Sequence, residues 1–518
     1  MMKLDFLTVI LFISFVTAMD GVCQSSRENG GIQMNFNMVH QYRNNILNPT
    51  WYIYKRNYQE DPVSASLPRF VDLNGNIVSP TSRTEKGIKI APDSDPHFFK
   101  TFSKLEAPCV LLKLHITEHS KEHRIMLGVG NDEDNVALLS CIQKQGREYF
   151  IFELKQDGKN TINKTFNGFD IKNEEFTLFF LLGNDDFSFF IKTRQGVQRI
   201  GMVANSRTMF TQPEKLKLMS PMFGGKVSNN GSLSIGSFDA GYFEGIGHAD
   251  VRSVTYENGE PVRNEKGNFY ISTSARLMGK NGGSGGICVY EIDNHGRIIR
   301  PVSLIVAQNE TWIEAGTAAK LVFDRKLEQW LYVARAFPSP GGSIHIGITN
   351  ENLIHDGLHI VTCKKHRGIL SNSLDGDLIQ IKNDWYLAYH GGNPRRLHIA
   401  KSRDLKKWEE ISETNTGEGI SIFNRKGEFF IIDATSQKRM NIRRMFQPSE
   451  VVGAIDLKPS PGNSRRNGGY PWGTLIPIER ENGVQYLMIC FSMDEYIESN
   501  NGDIFTYGDL YSYLSDIH

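Results

Sequence analysis

The chain has 518 residues, and 58 Lys+Arg balance 58 Asp+Glu, so the formal charge at neutral pH is zero. With no block of like charge, the sequence offers no electrostatic case for a nucleic-acid or anionic-membrane partner. The length exceeds one ordinary core, and 48 Gly with 11% aromatic residues suit a β-rich chain with many turns.

Lys3 precedes an apolar run from Phe6 to Thr17, and polar sequence (QSSRENGG) follows soon after. A run this short does not span a bilayer, which takes about twenty apolar residues. It reads as a signal peptide over 1–23, cleaved near Cys23–Gln24, and hence as a mark of an exported protein: periplasmic, secreted or at the cell surface. A lipidated Cys23 is the alternative, although Asp20-Gly21-Val22 is a poor lipoprotein pattern. No later segment reads as transmembrane. The other cysteines (Cys109, Cys141, Cys288, Cys363, Cys490) form no CxxC and have no His at zinc spacing. They read as small buried hydrophobes, with Cys109–Cys141 as one conceivable cross-sheet pair.

Residues 33–245 alternate short strand-like runs with polar turns. CVLLKLHI (109–116), HRIMLGVG (123–130), NVALLSCIQ (135–143), EYFIFELKQ (148–156), FTLFFLLG (176–183), FSFFIKTR (187–194) and SLSIGSF (232–238) are examples. Runs rich in β-branched and aromatic residues, without intervening helical periodicity, predict an antiparallel β-sandwich. It is similar in architecture to the lectin-like sandwiches that accompany polysaccharide-degrading enzymes. It carries no catalytic constellation, and its role is either to bind glycan or only to support its neighbour.

From 246 to 518 a long-period repeat takes over. One strand type recurs as GNFYISTSAR (267–276), EQWLYVARAF (328–337), NDWYLAYHGG (383–392), GEFFIIDATS (427–436) and VQYLMICFSM (484–493). Each copy follows a shorter strand: HADVRSVTY (248–256), AGTAAKLVF (315–323), LDGDLIQI (374–381), GEGISIF (417–423) and PWGTLIPI (471–478). Five repeats of three to four strands predict a five-bladed β-propeller. The expected fold is therefore all-β, a sandwich followed by that propeller.

The first strand of a blade lines the central channel, and three such strands open with acids: Asp250, Asp377 (beside Asp375) and Glu418. Glycosidic hydrolysis needs two carboxyl groups, one protonated and one ionised, and a third nearby raises the acid's pKa. Any one of these acids could equally cap a turn. His248, Arg276, Arg335, Asp375, His390 and Trp472 are candidate substrate-binding residues: Arg and His hydrogen-bond hydroxyls or a uronate, and Trp stacks on a sugar face. Blade-bridging or core roles are their structural alternatives. Asp509 in the final strand reads as a ring-closing residue.

The stretch LDGDLIQIKNDWYLAYHGG through LHIAKSRDLKKWEEI to TGEGISIFNRKGEFFIIDATS resembles the five-bladed propeller glycoside hydrolases, especially family 43 and relatives such as family 32. The resemblance implies Asp250 as base, Asp377 as pKa-modulating acid and Glu418 as proton donor. Gly376-Asp377-Leu378 stands where that family has Asp-Pro, Gly417-Glu418-Gly419-Ile420 lacks its Pro, and an extra blade carries Glu314. Asp375 or Glu314 could thus take one of the roles. The expected partner is a glycan substrate, the protein itself a monomer that requires no cofactor; Ca2+ in the channel has no ligand loop to support it. The alternatives are a non-catalytic glycan-binding propeller, a sialidase-like enzyme (SRDLKKW lacks that class's Gly and Thr), and a propeller lyase using His390 with Tyr386 or Tyr389.

Overall fold

The computed structural model describes residues 32–42, the strands at 70–71, 83–84, 87–90 and 97–101, and residues 104–517 apart from short stretches (120–121, 133, 145–146, 172–173, 185, 206–207, 229–230, 278–283, 310, 338–342, 366–372, 392–395, 416, 437–438, 459–471 and 494–506). The signal segment and Cys23 lie outside the described residues. The chain is all-β; among the described residues, helix is confined to the turns Met209–Thr211 and Pro213–Leu216. No helix among them is long and apolar enough to cross a membrane.

The first half is a sandwich of two seven-stranded sheets. Phe176–Leu182 is buried along its whole length and pairs on one side with Asp186–Thr193 and on the other with Val110–His119. The doubled phenylalanines explain this: alternate residues point to opposite faces of a strand, and a Phe-Phe step puts an apolar ring on each. On the inner side, Phe152 of the opposing sheet lies 5.0 Å from both Phe187 and Phe189. Each such ring contributes roughly 1.5–3 kcal/mol by leaving water. Cys109, Cys141, Cys288, Cys363 and Cys490 are all buried, and none of them forms a disulfide with another.

The second half is built from five four-stranded units. The first comprises Gly247–Ser253, Phe269–Arg276, Ser284–Ile292 and Ile298–Gln308. The second comprises Ile313–Asp324, Gln329–Phe337, Ile344–Thr349 and Gly357–Lys365. The third runs Leu374–Ile381, Asp384–Gly391, Arg396–Ser402 and Glu409–Asn415, and the fourth Glu418–Arg425, Glu428–Ser436, Arg439–Arg444 and Gln447–Lys458. Gly473–Arg480, Gly483–Met493 and Tyr507–Ile517 begin the fifth. The first strand of each unit touches the first strand of the next, and the fifth touches the first, so five inner strands enclose one axis. All five repeats of the sequence are blades of this ring.

The fourth strand of blade 5 is Ile32–Tyr42, which pairs antiparallel with Tyr507–Ile517 and parallel with the outer strand of blade 4. This corrects the expectation that the chain from residue 33 begins the sandwich: its first described strand is part of the propeller. The reason is physical, since an open ring would expose an unpaired edge, and the N-terminal strand covers it. Asp509 serves this closure as expected, with Gln41 Nε2 donating to its carboxylate at 2.5 Å.

The two halves share one continuous core. Leu277, just past the second strand of blade 1, packs among Leu111, Phe179, Leu181, Phe190, Phe243 and Ile246. A Cβ on Gly183 would stand 2.1 Å from Leu277 Cδ1, so a larger residue there would have to displace the Leu277 side chain from this contact.

Candidate active site at the propeller mouth

Four inner strands carry the same irregularity. In each, two residues oppose a single residue of the second strand: Asp250-Val251, Ala318-Ala319, Asp375-Gly376 and Gly419-Ile420. The first of each pair has positive φ: 55° at Asp250, 52° at Ala318, 54° at Asp375 and 73° at Gly419. These are β-bulges with a left-handed first residue. Glycine adopts that conformation freely and Asp tolerates it better than most residues, but alanine is strained there. Bulges and left-handed non-glycine residues gather where a strand must re-aim a side chain.

This register corrects the sequence reading of the acids. Asp250 and Asp375 occupy equivalent places in blades 1 and 3. Asp377 lies two residues further on, level with Arg252, Lys320 and Ser421, whereas Glu418 immediately precedes its bulge. The three acids first grouped together thus hold three different positions.

At the bulge level each aspartate meets a basic residue from the end of the neighbouring second strand. Asp250 accepts from Arg276 Nη2 at 2.5 Å and from Ser274 Oγ at 2.9 Å. Ser274 Oγ in turn accepts the Ala318 amide at 2.9 Å, which ties blade 1 to blade 2. Asp375 Oδ2 lies 3.5 Å from Nδ1 of the fully buried His390. Burial alone would raise the Asp375 carboxyl. The His390 ring outweighs it, with help from Arg252 and Arg335, and holds the pKa down at about 2. Asp375 is therefore ionised at any ordinary pH.

One level down, polar contacts run round all five blades. Ser253 Oγ (blade 1) accepts from Lys320 Nζ (blade 2) at 3.3 Å, and Lys320 forms an ion pair with Asp377 Oδ1 (blade 3) at 3.3 Å. Asp377 Oδ2 accepts from Ser421 Oγ (blade 4) at 3.3 Å and from the Ile422 amide at 2.7 Å. Ser421 is bonded to Thr474 Oγ1 (blade 5) at 3.3 Å, and Thr474 accepts the Ser253 amide at 3.2 Å. Asp377, 1% exposed, is spent on this belt. Burial pushes the Lys320 ammonium's pKa down, and Asp377 partly offsets that.

Glu418 is half-buried at the mouth of blade 4. The amide of Gly417 before it donates to Asp433 Oδ2 at 2.8 Å, and Asp433 is clamped by Arg443 Nε at 2.8 Å. Trp472, also half-buried, covers Gly419: a Cβ there would meet the indole at 2.6–2.8 Å. Trp472 also lies edge-on to Phe491 at 5.9 Å. Arg335 is half-exposed and reaches Asp375 electrostatically.

His248 does not belong to this group. It is wholly buried, bonds Tyr290 Oη at 2.6 Å and lies edge-on to Tyr42, so the expectation that it contacts substrate is corrected. Burial pushes its pKa down to about 3. Glu314 stands in the inner strand of blade 2, but its side chain lies outside what is described. Sequence reasoning missed Arg252, Lys320, Ser274 and Asp433. The signal for the first two was present, because HADVRSV, GTAAKLV, LDGDLIQ and GEGISIF align with R, K, D and S at one position.

No family model and no curated protein matches the chain. Among solved structures, a family 117 glycoside hydrolase of the marine bacterium Zobellia galactanivorans aligns over 52% of this chain and 84% of its own, at 11% identity and TM-score 0.37. The catalytic domain of a GH62 α-L-arabinofuranosidase from Coprinopsis cinerea aligns over 51% and 90%, at 13% identity and TM-score 0.32. A legume lectin-like domain from Entamoeba histolytica aligns over 31% and 86%, at 10% identity and TM-score 0.25. At these TM-scores none of the three assigns a chemistry to this chain.

Proposed function

We propose that the protein is an exported glycoside hydrolase that cleaves glycosidic bonds of an oligosaccharide or polysaccharide at the propeller mouth. One observation carries the reading: carboxylates from blades 1, 3 and 4 stand at or beside the same bulge of the inner strands, two of them on left-handed residues. The apolar run near the N-terminus supports export.

The chemistry divides between the three acids. Glu418 is the proton donor to the departing glycosidic oxygen, its strand entrance fixed through Gly417 and Asp433. Asp250, oriented by Arg276 and Ser274, is the second carboxylate of the reaction, acting on water or on the anomeric carbon. Asp375 cannot donate a proton with its pKa held at about 2; its fixed negative charge stabilises the oxocarbenium-like transition state. In this reading Arg335 bonds sugar hydroxyls and Trp472 stacks on a sugar ring, while the buried Arg276 and His390 orient Asp250 and Asp375 rather than touch the sugar. The protein is read as a monomer that needs no cofactor for this.

Glu418→Gln tests the proposal: sugar release should be lost while glycan binding persists. A wild-type protein that binds glycans and releases sugar from none would instead establish a non-catalytic binding propeller.

A further inference from the structure

Blade 4 carries an open groove of about 400 Å³ between two of its hairpin turns. One turn, at Gly427, joins Glu418–Arg425 to Glu428–Ser436; the other, at Phe446, joins Arg439–Arg444 to Gln447–Lys458. Both stand at the end of the blade away from the bulge, because the inner strand starts at the mouth with Glu418 and finishes at Arg425, about 20 Å further on. The groove therefore opens on the face of the disc opposite the mouth. Phe429 and Met445 form its floor: the Met445 amide donates to the Phe429 carbonyl at 3.0 Å, and both side chains pack into the core between blades 3 and 4. Phe446 stands beside them, 51% exposed, its ring braced edge-on by Tyr386 of blade 3 at 5.3 Å. Glu428, Arg444 and Gln447 supply polar groups to the lining. Gly427 adds open space, since nothing among the described residues stands within 4 Å of where a Cβ would project.

An exposed phenylalanine ring braced by its neighbour is a flat apolar platform. The rim adds donors and acceptors together: the guanidinium and the amide nitrogen donate, the carboxylate and the amide oxygen accept. A pyranose has the same division, with C–H groups on its faces and hydroxyls that both donate and accept around its edge. The charges of the rim are already matched, because Arg444 Nη1 donates to Glu428 at 3.2 Å and Arg444 Nε lies 3.7 Å from Glu450. An anionic ligand would have to break those pairs, and a purely apolar one would strip water from them. A folded protein partner needs about 20–30 residues on each side, far more than two turns provide, whereas the groove's volume suits a small ligand. We infer that this groove is a second, non-catalytic glycan site, taking a neutral sugar unit stacked on Phe446 and hydrogen-bonded by Arg444, Gln447 and Glu428. It shares with the proposed function only the class of ligand, and none of the residues of the mouth.

Hydrogen exchange on the full-chain Glu418→Gln variant, followed against ligand concentration, tests this. Cellohexaose, xylohexaose and mannohexaose are the neutral probes, and hexagalacturonate is the anionic control. At least one neutral probe should slow exchange at residues 427–429 and 444–447. Adding Phe446→Ala should weaken that protection about tenfold or more in concentration, the loss of one covered ring, whereas Phe446→Tyr should keep it. Phe446 lies at the surface, and unchanged unfolding midpoints check that both variants fold. No protection of the two turns by any neutral probe, protection by hexagalacturonate alone, or protection unchanged in Phe446→Ala overturns the inference. So does a dimer in sedimentation that Phe446→Ala abolishes, which would assign the groove to a second copy of the chain. Protection confined to the mouth would remove this site and leave the hydrolase reading intact. Protection of the two turns, in a protein whose wild type releases no sugar, would do the reverse.

Discussion

Replacing Lys320 by methionine tests the polar belt that links the five blades. The ammonium is buried, 3.3 Å from Asp377 Oδ1 and 3.3 Å from Ser253 Oγ. Removing one partner of a buried pair costs about 3–5 kcal/mol, chiefly because the other charge stays behind uncompensated. Here Asp377 keeps the Ile422 amide at 2.7 Å and the Ser421 hydroxyl, which places the cost near the lower end, about 3 kcal/mol. Asp377→Asn added to Lys320→Met removes the stranded charge and should recover about 2 kcal/mol of that loss. Denaturant unfolding followed by tryptophan fluorescence, with unchanged m-values, gives the double-mutant cycle. A cost below about 1 kcal/mol for Lys320→Met, or strictly additive effects in the double variant, would refute the belt as an electrostatic unit.

Two further predictions concern single residues. His248 has a folded-state pKa of about 3, below its unfolded value. The unfolded chain therefore takes up the proton first, and stability falls as pH drops from about 6.5 toward 3, by up to about 1.4 kcal/mol per pH unit. His248→Gln keeps a hydrogen-bonding group for Tyr290 and should flatten that slope; an unchanged slope in acid unfolding curves would contradict the assignment. Ala318→Gly relieves a left-handed alanine at φ 52° and should raise stability by up to about 1 kcal/mol, the reverse of the usual effect of glycine in a strand. A lower denaturation midpoint for that variant would count against strain at the blade-2 bulge.

Much of this architecture was legible in the sequence. The inner strands Gly247–Ser253 and Glu418–Arg425, and the second strands Phe269–Arg276 and Asp384–Gly391, fall where their apolar runs predict them. The role of Ile32–Tyr42 was not legible, because a strand that closes the ring from the far end of the chain looks locally like any other strand. The acids were misaligned for a different reason. Counting from the start of each strand treats Asp250, Asp377 and Glu418 as equivalent, whereas register against the second strand makes Asp250 and Asp375 the matching pair. A bulge adds one residue on one side only, and its positive φ leaves no mark in composition when Asp or Ala occupies it. His248 was misread because a histidine beside a candidate acid gives no sign, in sequence, of which face of the sheet it joins.

The most direct test of the account sets Asp375→Asn against Asp377→Asn in a sugar-release assay over pentose-, hexose- and uronate-containing glycans, with the folded fraction of each variant measured in parallel. Asp375→Asn should lower kcat by about two orders of magnitude or more in a folded protein, since it removes charge at the reacting centre. Asp377→Asn should weaken the fold while the folded fraction keeps kcat within about threefold of wild type. The opposite pattern, with Asp377 essential and Asp375 dispensable, would contradict the placement of the active site.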